Sequence, residues 1–108
     1  MLKDGNFKKV IIICGYVDMR KGIDGLKALI VGKYGLNPIE EGTLFLFCGR
    51  KASVIRGLQW ERDGFVMVTK RLSLGRFSWP RKPEEAKALS KEDFDRLMQG
   101  FPINSTIG

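Results

Sequence analysis

The chain has 108 residues, of which 44% are apolar and 29% charged, with a formal net charge of +7. That length supports one domain, residues 1–108, with an ordinary hydrophobic core and no room for a second. No apolar run approaches the ~18 residues of a spanning helix, and the longest is too short for the core of a secretory leader, so the expectation is a cytoplasmic protein with no membrane contact.

In chain order, Lys9-Val10-Ile11-Ile12-Ile13-Cys14 is a continuous β-branched run, as in a strand covered on both faces. Asp18 then offers an N-cap, and Ile23, Leu26, Ile30 and Tyr34 recur along one face of a helix predicted over residues 20–34. Gly35 can end that helix and Pro38 prevents its continuation. Thr43-Leu44-Phe45-Leu46-Phe47-Cys48 reads as a second strand. Residues 54–61 and 65–71 read as a hairpin turning on Asp63-Gly64, because Asp-Gly between apolar runs tolerates positive φ. A further turn at Ser73-Leu74-Gly75 leads to Arg76-Phe77-Ser78-Trp79, read as another strand ended by Pro80. Pro83-Glu84-Glu85 and Ser90-Lys91-Glu92-Asp93 are helix-start patterns, so a helical tail is predicted over about residues 83–100, stopped by Gly100 and Pro102, with a frayed end at 103–108. The predicted fold is α+β: an antiparallel β-meander of about four to five strands, one helix on a face and a helical C-terminal tail.

The charge is unevenly spread. Residues 50–82 carry nine Lys or Arg against Glu61 and Asp63, whereas the flanks nearly cancel. One reading is a solvated sheet face whose bases guard strand edges; the other is a surface for an anionic partner. In the hairpin, a loop at Asp63-Gly64 puts Arg56 directly across from Arg71. Like charges in that position repel and would be relieved by a bound phosphate, or by a slip in register. Trp60, Phe77 and Trp79 interleave with the bases, either as core or as a stacking surface for single strands. Arg20 and Lys21 flank a helix start where a phosphate can also sit. The candidate nucleic-acid or partner-binding residues are therefore Arg20, Lys21, Arg50, Lys51, Arg56, Lys70, Arg71, Arg76, Trp79, Arg81 and Lys82.

Catalysis has little to work with. Histidine is absent, which removes histidine-based triads and His-ligated zinc. Cys14 and Cys48 sit in apolar runs and read as small buried hydrophobes. Asp18 and Asp24 would lie on different helical faces, and the remaining acids look like turn and helix-start residues, so no two-metal site is expected. No phosphate-binding G-x-x-x-x-G-K-[ST] loop is present. The expectation is a protein without catalytic activity, metal or cofactor.

Several strings fall in the order of one known family. They are residues 14–26, with the specific Asp18-Met19-Arg20-Lys21-Gly22 core, then Leu44-Phe45-Leu46-Phe47, Trp60-Glu61-Arg62-Asp63-Gly64-Phe65, Lys70-Arg71-Leu72 and Gly75-Arg76-Phe77-Ser78-Trp79-Pro80. Over roughly residues 8–100 the chain resembles the TnpB-type accessory protein, the second-reading-frame product, of insertion-sequence family sixty-six. It does not resemble the RNA-guided nuclease that shares the name TnpB. One departure is Cys48, where the family more often carries arginine or asparagine. The resemblance implies a small bacterial protein encoded beside a transposase and required for transposition, whose partners are the transposase, the other accessory protein of the same element and DNA. Direct DNA contact and a purely protein-binding adaptor that meets an acidic surface of the transposase are both compatible with the basic middle third.

Overall fold

The computed structural model describes residues 7–82 and 85–101. Its elements are β1 (Lys9–Ile13), α1 (Ile23–Gly32), β2 (Thr43–Cys48), β3 (Val54–Glu61), β4 (Gly64–Arg71), β5 (Ala86–Leu89) and α2 (Lys91–Met98). The five strands form one sheet in the order β4-β3-β2-β1-β5.

The sheet is mixed rather than an antiparallel meander. β1 and β2 run parallel, joined through α1, with Val10 opposite Leu44 and Ile12 opposite Leu46. The other three pairings are antiparallel. Continuous apolar runs are what a parallel pair buried on both faces requires. Ile11, Ile13, Phe45 and Phe47 point to the face covered by Leu26 and Ile30 of α1. Val10, Ile12, Leu44 and Leu46 point to the other face, which is closed by Phe94, Leu97 and Met98 of α2 together with Phe77 and Trp79.

Several sequence-based expectations shift, each for a physical reason. Residues 76–79 pair with no strand; Phe77 and Trp79 both turn inward, so the segment lies over the α2-side core. The Phe77 N–H donates to the Ala52 carbonyl at 2.6 Å, and the Trp79 indole donates to the Ile13 carbonyl at 3.0 Å. The Ala-Lys-Ala-Leu stretch expected in the helical tail is instead β5, because the open edge of β1 offers it a full hydrogen-bonding partner. Tertiary pairing overrides the modest helix preference of those residues. The expected helix start at Pro83-Glu84 and the stop at Pro102 lie outside the described residues.

Ser90 caps α2 as expected, its hydroxyl accepting from the Asp93 N–H at 3.0 Å. Gly100, at φ +92°, ends the helix. The Phe101 N–H returns to the Arg96 carbonyl and the Gly100 N–H to that of Leu97, the paired bonds of a glycine-terminated helix. α1 begins at Ile23, later than expected, and Gly22 rather than Asp18 occupies its N-cap without a side-chain hydrogen bond. At its other end Gly35, at φ +62°, turns the chain.

The hairpin register differs from the expectation by one step of the turn. The loop residues are Arg62 and Asp63, with Arg62 at φ +51°, and Glu61 pairs with Gly64. Trp60 consequently lies opposite Phe65, the two rings meeting edge to face at 5.0 Å. Arg56 faces Thr69, and Arg71 faces Val54. This register gains an aromatic cross-strand pair and avoids two arginines directly opposite each other. Moving the turn by one residue moves each partner by two, so the residues sharing a face are unchanged and only the opposing pairs differ.

Candidate nucleic-acid interface

Because β3 runs antiparallel to β2 and β4 antiparallel to β3, one end of the sheet collects the ends of β1, β2 and β4 with the starts of β3 and β5. The loops 14–22 and 49–53 leave from that end, as does the segment 72–82. A cavity of about 710 Å³ opens between the loops 14–22 and 49–53, beside the end of β4. Arg20, Arg50, Lys51 and Arg71 bring four cationic side chains to its lining, with Tyr16 and Ser53. Val17, Met19 and Val54 supply an apolar part.

Backbone bonds hold these loops in place. The Gly49 N–H donates to the Val54 carbonyl and the Ala52 N–H to that of Gly49, closing a tight connection that carries Arg50 and Lys51. Ala52 takes φ +60° within it. The Val17 N–H donates to the Cys48 carbonyl at 2.9 Å, which ties the first loop to the end of β2. Gly49 also permits close packing: a Cβ there would lie 2.6 Å from Met19 Cγ.

The one carboxylate lining the cavity is already engaged. Asp18 accepts from the Arg20 backbone N–H at 2.9 Å and from its guanidinium at 2.9–3.2 Å. Those hydrogen bonds, rather than a helix cap, are its role, and they hold its carboxyl down to about 2. Arg50, Lys51 and Arg71, by contrast, have no carboxylate partner among the described residues. Three such cations around one concavity are chemically suited to an anion, and guanidinium forks suit phosphate oxygens.

The remaining expected residues separate into distinct places. Arg56 turns inward and donates from Nη1 to the carbonyls of Met19, at 2.5 Å, and Lys21, at 3.0 Å. It is thus a tether for the first loop, and its buried Nε has no partner among the described residues. Lys70 points to the other face of the sheet, where its ammonium caps α2 at the Met98 carbonyl at 3.2 Å. Trp79 is 5% exposed and belongs to the core. Lys21, in the first loop, and Arg76, Arg81 and Lys82, in the 72–82 segment, are exposed but do not line the cavity. The Gly15 N–H donates to the Pro80 carbonyl, which draws the 76–82 segment across the end of β1.

Tyr16 and the apolar lining were absent from the sequence-derived set. Tyr16 is 41% exposed. The signal that could have found it is an aromatic directly after a glycine at the end of a doubly buried strand, here Gly15 at φ +80°. Cys14 and Cys48 are free and buried, and burial raises both thiols, that of Cys48 to about 12. They are suited to packing rather than to nucleophilic chemistry. Among the described residues no three His, Cys, Asp or Glu side chains gather as metal ligands, and no helix is long and apolar enough to cross a membrane.

Comparisons with known proteins agree with the resemblance carried by the Asp-Met-Arg-Lys-Gly string. No solved structure matches the chain. Two proteins of Sinorhizobium fredii (strain NBRC 101917 / NGR234), each described as uncharacterised, are similar along most of their lengths. One, y4hO, is 36% identical over 101 residues, covering 94% of this chain and 87% of its own. The other, y4jC, is 29% identical over 93 residues, covering 86% and 79%. The family model described as "IS66 Orf2 like protein" matches residues 8–107, nearly the whole chain, and the protein therefore belongs to that family of insertion-sequence-associated proteins.

Proposed function

We propose that this protein is a non-catalytic accessory of insertion-sequence transposition that binds DNA through the basic end of its sheet, in association with the transposase of the same element. The observation that carries this reading is the convergence of Arg50, Lys51 and Arg71, none with a carboxylate partner among the described residues, on one preorganised concavity. Lys21, Arg76, Arg81 and Lys82 are exposed on the segments that leave the same end of the sheet and add positive charge there. Phosphate contacts of this kind carry sequence-independent affinity and position a protein on nucleic acid. Membership of an insertion-sequence family supplies a setting in which DNA is the expected polyanion.

The test is titration of the purified protein against a duplex DNA fragment at several salt concentrations. Three phosphate contacts give a slope of about −2.7 in log affinity against log salt, and further contacts from the rim steepen it. No binding at low salt, together with co-purification with the transposase, would replace DNA by an acidic surface of the transposase as the partner.

A further inference from the structure

The cavity has features that contact with duplex phosphates alone would leave idle. A duplex presents its phosphates on a convex surface and keeps its bases stacked within, whereas this site is concave. Its lining combines the three uncompensated cations with an exposed aromatic ring, Tyr16, and the apolar side chains of Val17, Met19 and Val54. A volume of about 710 Å³ lies within the ~300–1,000 Å³ of pockets that enclose a small organic ligand. The lining is also held in advance: Arg56 fixes the backbone of Met19 and Lys21, and the Val17 N–H is bonded to the end of β2. Little ordering is then required when a ligand enters. Cation beside aromatic is the combination by which proteins hold unpaired nucleotides, the phosphate on the base-rich rim and the base stacked on a ring.

We propose that the cavity receives an unpaired nucleotide of a DNA strand, its phosphate held by Arg50, Lys51 and Arg71 and its base lying against Tyr16. The inference rests on the DNA-binding reading above and adds to it a preference for strand ends, bubbles or gaps over intact duplex. Unpaired DNA is an obligatory feature of strand breakage and joining, so a transposition accessory would meet such ends.

The test is fluorescence anisotropy on the full chain at one salt concentration, with a labelled single-stranded oligonucleotide and the duplex of the same sequence. The single strand is expected to bind about tenfold more tightly, as stacking of one base supplies. Tyr16→Ala removes that preference and Tyr16→Phe retains it. An abasic oligonucleotide on the unaltered protein gives the same answer without relying on a variant: it keeps the phosphates, lacks the bases, and is expected to bind about tenfold more weakly. Equal binding of strand and duplex, with a steep salt slope for both, would overturn the nucleotide site and leave the DNA reading standing. Failure of both forms to bind would remove both. Competition by free deoxyadenosine monophosphate at concentrations equal to the strand's own nucleotides would overturn the assignment to DNA and make the ligand a free nucleotide.

Discussion

The two ends of the sheet carry charge in different ways. At the end where β1 and β2 finish, Arg20, Arg50, Lys51 and Arg71 line a cavity whose single lining carboxylate, Asp18, is neutralised by Arg20. At the opposite end Lys8, Lys9 and Arg62 lie among Glu40, Glu41, Glu61 and Asp63, and Lys9 pairs with Glu40 at 3.3 Å. At the first end Arg50, Lys51 and Arg71 have no carboxylate partner among the described residues; the second is a solvated mixture of both signs. Charge counted along the chain does not anticipate this division. Arg62 belongs to the basic middle third yet sits in the turn at the mixed end, whereas Arg20 and Lys21, from the nearly balanced residues 1–49, join the basic end.

Exchange of charge at the two ends is the most forceful way to break the contrast. Replacing Arg50, Lys51 and Arg71 together with Gln is expected to flatten the salt dependence of DNA affinity by about 2.7 in slope. The matched replacement of Lys8, Lys9 and Arg62 should leave that slope within about one contact's worth, about 0.9. Equal losses from both sets would show that only the net charge matters.

Arg56 and Arg71 share a face of the hairpin but are assigned different work. Arg56→Met deletes two bonds to backbone carbonyls of the cavity loop and is expected to lower stability by about 2 kcal/mol in denaturant unfolding. Arg71→Gln should stay within about 0.5 kcal/mol, as for an exposed surface side chain. The reverse ranking would exchange their roles.

A smaller effect concerns acid. The Asp18 carboxyl, held to about 2 in the folded chain against an ordinary 3.8, favours the folded state above its unfolded value, and that contribution is lost as pH falls through the interval from 3.8 to about 2. A carbon-13 titration should place its midpoint near 2, and Arg20→Gln should return it toward the ordinary carboxylate value. The smallest effect is expected at the cysteines: a thiol-reactive disulfide at neutral pH should leave Cys48 unmodified until the chain unfolds, because burial holds its thiol at about 12.

The secondary structure was legible where local chemistry is decisive. The runs at β1 and β2, the apolar spacing through Leu26 and Ile30, the Ser90 cap and the Gly100 stop all depend on residues within a turn or two of one another. The fold class was legible as α+β, and the family was legible in the string around Asp18 to Gly22. The sheet's parallel pair was not, since an apolar run buried on both faces looks the same whichever way its neighbour points. Nor was β5, whose alanines and lysine have no strand preference of their own and pair only because β1 has an open edge.

Among the candidate site residues, the sequence by itself determined that the middle of the chain is strongly basic and that no histidine chemistry is available. Tertiary structure alone decided what each base does. The same residue type tethers a loop at Arg56 and neutralises a carboxylate at Arg20, while at Arg71 it lines a cavity with no carboxylate partner among the described residues. Lys70 and Trp79 turn to the α2-side face, where one caps a helix and the other fills the core. The physical reason is that a side chain's alternation along a strand is local, but what faces it across the sheet is set by register and strand order, which depend on contacts far apart in the chain.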